Sequence, residues 1–158
     1  MDSLVNEIEK LSAAMQNYRP EDIKRMRLRM GARSQNASIT LYAFGDIGTA
    51  ANILYFLERD IPNEAYDLRT MLDTASHWLA LMADRIPRYY RHDDTGKLLC
   101  RVLESLKSCN DRAEARKIIG AIQHYLSALD FWIDLEIPWP EIGAAFAEAK
   151  GDPAPAVP

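Results

Sequence analysis

A chain of 158 residues, 48% hydrophobic and 27% charged with a net charge of −4, has the make-up of one soluble domain around a single core. Residues 1–33 carry seven basic and five acidic side chains and the rest carries twelve basic and eighteen acidic, which disfavours wholesale phosphate binding and leaves only a local patch for any nucleic-acid contact. Cys100 and Cys109 form no CxxC pair, the three histidines form no HxxxH, and no apolar run approaches the roughly 20 residues of a membrane span, so the expectation is a cytoplasmic protein with reduced thiols, no metal and no cofactor. The acidic, amphipathic first residues do not resemble a secretory leader.

Residues 3–16 place Leu4, Ile8, Leu11 and Met15 on one helical stripe. "RPED" predicts a second helix: Pro20 suits its first position, and Glu21 and Asp22 complement the positive dipole end. Ile23, Met26 and Met30 face inward, and Gly31 supplies a left-handed stop. A third helix over 36–59 turns Ala43, Ile47, Ala50, Leu54 and Leu57 toward the core and breaks at "DIPNE". Residues 63–86 carry the clearest heptad-like stripe, through Ala65, Leu68, Leu72, Ala75, Leu79, Met82 and Ile86.

"PRYYRHDDTG" then reads as a loop of about ten residues, followed by a fifth helix near 95–107 and a cap at Asn110. Residues 111–135 form the most apolar helix, with Ile118, Ile122, Tyr125, Leu129 and Trp132 inward and His124 beside the core. That helix is expected to be central. A short helix from Pro140 and a proline-rich tail complete the chain. The fold expected is an all-α, single-domain bundle of five to seven helices over residues 1–149, with residues 150–158 disordered.

Three features could hold a partner. The stretch "KRMRLRMGARS" puts Arg25 and Arg29 on one helix face and Arg27 on another, so it suits a solvated helix end better than a phosphate track. Arg25, Arg29 and Arg33 remain its candidate contacts. Arg88, Tyr89, Tyr90 and Arg91 make the 87–92 segment basic and aromatic, a chemistry that suits bases or acidic peptides. On the third helix, Ser38, Tyr42, Gly45, Thr49, Asn52, Phe56 and Arg59 line the side opposite the core, where small residues between aromatics would admit another helix. His77 lies one turn from Asp73 on a polar face and reads as an exposed ion-paired histidine.

Arg85 and His92 are separated by "IPRYYR". An arginine and a histidine at that spacing resemble the signature of the HEPN family of helical ribonucleases and nucleotide-binding domains. The resemblance covers about fifty residues and departs from the family at Ile86, where a polar residue is usual. It implies that Arg85 and His92 would be catalytic, meeting those of a second subunit around an RNA backbone. No other catalytic cluster is visible, and "GxSxG" is absent. The reading favoured is a small helical protein-binding module, of adaptor, regulator or immunity type, that binds another protein or itself and no membrane. A HEPN-like RNA-binding or ribonuclease domain is the alternative.

Overall fold

The computed structural model describes residues 2–15, 45–90 and 92–136. The expectations for the Pro20 helix with Arg25, Arg29 and Arg33, for Tyr42, for the Pro140 helix and for the tail fall outside the described residues. Five helices occupy them: α1 (Asp2–Met15), α2 (Gly45–Asp60), α3 (Leu68–Tyr90), α4 (Asp93–Lys107) and α5 (Arg112–Glu136). No strand occurs among the described residues, so the chain is an all-α bundle. None of these helices is long and apolar enough to cross a membrane.

α5 is central. It buries Ala115, Ile118, Ile119, Ile122, Tyr125, Leu126 and Leu129, and it packs against both α1 and α2. α2 runs antiparallel to it, with Gly48 opposite Asp130 and Glu58 opposite Arg116. α3 and α4 form a second antiparallel pair, and α2 closes the bundle against α3. The stripe predicted for α3 is buried from Leu72 through Ala75, Leu79 and Met82 to Ile86. The side chain of Trp132, expected on the α5 stripe, is not among those described.

Four sequence expectations are corrected. On α1, Leu11 is 41% exposed while Val5 and Ser12 are buried, so the inward face is rotated from the predicted stripe. Ser12 tolerates burial because its hydroxyl donates to the Ile8 carbonyl at 3.0 Å. α3 starts at Leu68 and not at 63, because two local caps claim the preceding residues. The Asn63 side chain accepts from the Ala65 N–H at 3.0 Å, and the Asp67 carboxylate accepts from the Thr70 N–H at 2.9 Å and from its hydroxyl at 2.8 Å. Those hydrogen bonds from Thr70 hold the Asp67 carboxyl below its ordinary pKa of 3.8.

The ten-residue loop at Pro87 is the third correction. α3 continues to Tyr90 with Pro87 inside it, and α4 begins at Asp93. A proline cannot donate to the carbonyl four residues back, here Ala83, but one turn from a helix end that loss is small enough for packing to override. The packing is with Gly96. A Cβ there would lie 2.6 Å from Pro87 Cγ and 3.3 Å from the Ala83 oxygen, so only glycine lets α4 come this close to the kink-prone turn. Asp93 and Asp94 in the first turn of α4 favour helix start by complementing its dipole. Fourth, the cap of α5 is Asp111 and not Asn110: its carboxylate accepts from the Ala113 N–H at 3.1 Å and its carbonyl from the Ala115 N–H at 3.0 Å.

At one end of the bundle two arginines fasten turns that belong to other helices. Arg112, at the start of α5, donates to the carbonyls of Ile61 at 2.7 Å, Asn63 at 3.2 Å and Tyr66 at 2.6 Å, all in the α2–α3 turn. Arg69, at the start of α3, donates to Leu106 at 3.2 Å and Cys109 at 2.6 Å, at the end of α4. Carbonyls at and just beyond two helix C-termini thus accept from across the bundle.

Candidate binding surfaces

The inward residues of α2 are Ile47, Ala50, Ala51 and Leu54. At 100° per residue this leaves Thr49, Asn52, Phe56 and Arg59 outward, and all four are exposed. Phe56 is 58% exposed and its neighbour Tyr55 38%. Their rings meet edge to face, centroids 5.5 Å apart at 75°, and the Arg59 guanidinium lies 4.7 Å over the Tyr55 ring. Each contact is of a kind that favours its own geometry, so the patch is ordered before any partner arrives. Preordering lowers the entropy that docking must offset.

A concavity lies between α1, α2 and the first half of α5, with a volume of about 770 Å³. Its small lining residues are Ala113, Gly120 and Ala121 of α5 with Ser12 and Ala13 of α1. On the α2 wall, Arg116 Nε and Glu58 Oε1 pair at 2.8 Å. Lys117 stands toward α1 and Glu9, and among the described residues it has no ion-pair or hydrogen-bond partner. His124, expected beside the core, is instead exposed at the end of this groove. It falls on the α5 face with Lys117 and Gly120, turned away from the buried Tyr125. Gly120 costs the helix about 1 kcal/mol relative to alanine. Nothing in the sequence announces this groove, because its small residues carry no chemical signature of their own.

The α3–α4 corner gathers the remaining candidates. Arg85 and His92 are both half-buried and flank the same tight turn. Arg88 pairs with Asp84 at 3.0 Å, and both are well exposed. Tyr89 and Tyr90 close α3, and Arg91 is outside the described residues. His92 is not a loop residue but the N-cap of α4. Its Nδ1 lies 2.6 Å from the Thr95 hydroxyl, which lies 2.6 Å from the Tyr125 hydroxyl of α5. Thr95 is fully buried and has one proton to give. The order that satisfies every group is Tyr125 donating to Thr95 and Thr95 donating to a neutral His92, whose outer nitrogen then carries the proton.

Burial pushes the His92 pKa below its ordinary 6.5, against the carboxylates of Asp94 and Asp93, which pull it up. Burial likewise raises the Tyr125 phenol, and its hydrogen bond to Thr95 acts in the opposite direction. The Arg–His spacing is therefore set in acidic surroundings, and His92 is tied into the core. Among the described residues no group of three or more histidine, cysteine or carboxylate side chains is placed to hold a metal ion. His77 is exposed, edge-on to Trp78, with Asp73 one turn away instead paired with Arg69 at 3.8 Å.

No known protein-family model, curated protein or solved structure matches the chain.

Proposed function

We propose that the chain is a small helical protein-binding module, of adaptor, regulator or immunity type, and that the outer face of α2 docks another protein or a second copy. The observation that supports this is the preordered cluster of Tyr55, Phe56 and Arg59 on a helix whose opposite side fills the core. Aromatic residues and arginine are the types that dominate binding energy at protein interfaces. Phe56 and Arg59 contribute little to the core, so their exposure is available for such contact.

The test combines sedimentation equilibrium, for self-association, with affinity measurement against any protein captured on the immobilised chain. Phe56→Ala and Arg59→Ala should each weaken the association at least about tenfold, the effect of a hot-spot residue, and leave thermal unfolding unchanged. Association that is indifferent to both changes removes α2 from the interface. For the HEPN-like alternative, a phosphate backbone at Arg85 and His92 would meet Asp84, Asp93 and Asp94, which favours the protein-binding reading. RNA binding that weakens steeply with salt and is lost in Arg85→Ala would reverse that preference.

A further inference from the structure

The groove over α5 carries a mid-helix glycine, Gly120, among its lining residues. A glycine in the middle of a long helix weakens it relative to alanine. Among the described residues no close packing offsets that loss: a Cβ at position 120 would meet Glu58 Cγ at 3.6 Å, an ordinary van der Waals contact. Gly96 makes the contrast, since a Cβ there would stand 2.6 Å from Pro87. What a side chain at 120 would occupy is the floor of the groove.

The groove's size and lining define what it would hold. Its volume, about 770 Å³, lies within the range of roughly 300–1,000 Å³ that takes small molecules, and grooves between helices of a bundle are a usual place for them. Ala13, Ala113 and Ala121 offer methyl groups to the groove, and the Ser12 hydroxyl is turned back onto the Ile8 carbonyl. Among the described residues three cations, Arg112, Arg116 and Lys117, face two carboxylates, Glu9 and Glu58, in a protein whose overall charge is −4. Arg116 is engaged by Glu58, and Arg112 by three backbone carbonyls. Lys117 is the cation left without a partner among the described residues, with exposed His124 two turns further along the same face. Glu9, on the α1 wall, repels any second negative charge.

The geometry points to a small amphipathic monoanion as the ligand: an apolar body on the alanine and glycine floor, with one carboxylate or sulfonate head on Lys117. This site is on a different side of α2 from Phe56 and stands independently of the docking role proposed for that residue.

Two probes test it on the full chain. 1-Anilinonaphthalene-8-sulfonate is an aromatic sulfonate read by its fluorescence, and dodecanoate is an aliphatic carboxylate read by calorimetry. At least one should bind with micromolar affinity, and where both bind each should displace the other. Gly120→Leu fills the floor, and Lys117→Glu reverses the head contact. Each should weaken binding at least about tenfold while circular dichroism and cooperative unfolding persist. If Gly120→Leu fails to fold, Lys117→Glu on the open rim decides alone. Binding by dodecanoate only or by the dye only, lost in the variants, supports the site and tells an aliphatic from an aromatic ligand. Absence of binding by either probe up to about 1 mM, or binding that both variants leave unchanged, overturns the proposal.

Discussion

Arg112→Ala should be among the most destabilising single changes outside the core. Its guanidinium donates to three carbonyls of the α2–α3 turn, at 2.7, 3.2 and 2.6 Å. The first two share one nitrogen, so the contact amounts to about two charge-assisted hydrogen bonds at about 1.5–3 kcal/mol each. Two of the three acceptors are in an exposed setting where water can replace the donor, which favours the lower part of that range. The expected loss is therefore about 3–4 kcal/mol, a large share of the stability of a domain this size. Arg112→Lys keeps the charge but replaces a planar fork with a point donor, and should recover less than half of the loss. Urea denaturation followed by circular dichroism measures both, with the slope of the transition unchanged if the unfolded state is unaffected. A loss below about 1 kcal/mol for Arg112→Ala would mean that water serves these carbonyls equally well, and the idea of a cross-bundle clamp would fall.

The two helical glycines should respond in opposite directions. Gly96→Ala should destabilise by about 1–3 kcal/mol because its methyl overlaps Pro87, whereas Gly120→Ala should stabilise by up to about 1 kcal/mol through helix propensity; thermal unfolding separates them, and the same sign for both would contradict the packing described. Thr95→Val removes the link between His92 and Tyr125 and leaves a buried phenol without an acceptor, so it should cost about 1–3 kcal/mol by denaturation, with no loss indicating that water or another group takes its place. His92 gives the protein a pH signature. Its pKa is lower folded than the ordinary 6.5, so the unfolded chain binds its proton first; the associated stability is fully present above about pH 6.5 and is lost as pH falls from there through the folded value. Carboxyls held low, such as Glu7 beside Arg101, act only below about pH 4.5, so a decline that begins near 6.5 and vanishes in His92→Asn identifies the imidazole, and a decline that persists in that variant assigns it elsewhere.

Periodicity made the interior legible. The stripes of α3 and α5 were readable because apolar residues recur every three or four positions over many turns, and a buried helix face imposes that spacing. On short α1 the same reading chose Leu11 over Val5 and Ser12, since four turns leave the face underdetermined and a serine that bonds its own backbone can be buried. Pro87 was read as a break because its chemistry is local, whereas the Gly96 contact that keeps it helical comes from the next helix. Asp67 and Thr70 did announce the start of α3, but Pro62 drew the boundary earlier. Of the site residues, Phe56 was legible from helical geometry alone. The groove, the Thr95–Tyr125 bond across 30 positions and the clamps of Arg69 and Arg112 were not, because contacts between distant segments leave no period in the chain.

The placement of those two clamps bears on how the molecule comes apart. Each turn at that end is fastened by an arginine from a helix outside it, the α2–α3 turn from α5 and the end of α4 from α3. Neither turn can loosen without releasing a guanidinium rooted in a different helix. The last exchanging amides of the two turns should therefore share one opening free energy, close to that of the cooperative unit that holds α3 and α5. A bundle whose helices are joined only by short local turns could fray one hairpin at a time; in this one, the connections themselves belong to the global unfolding step.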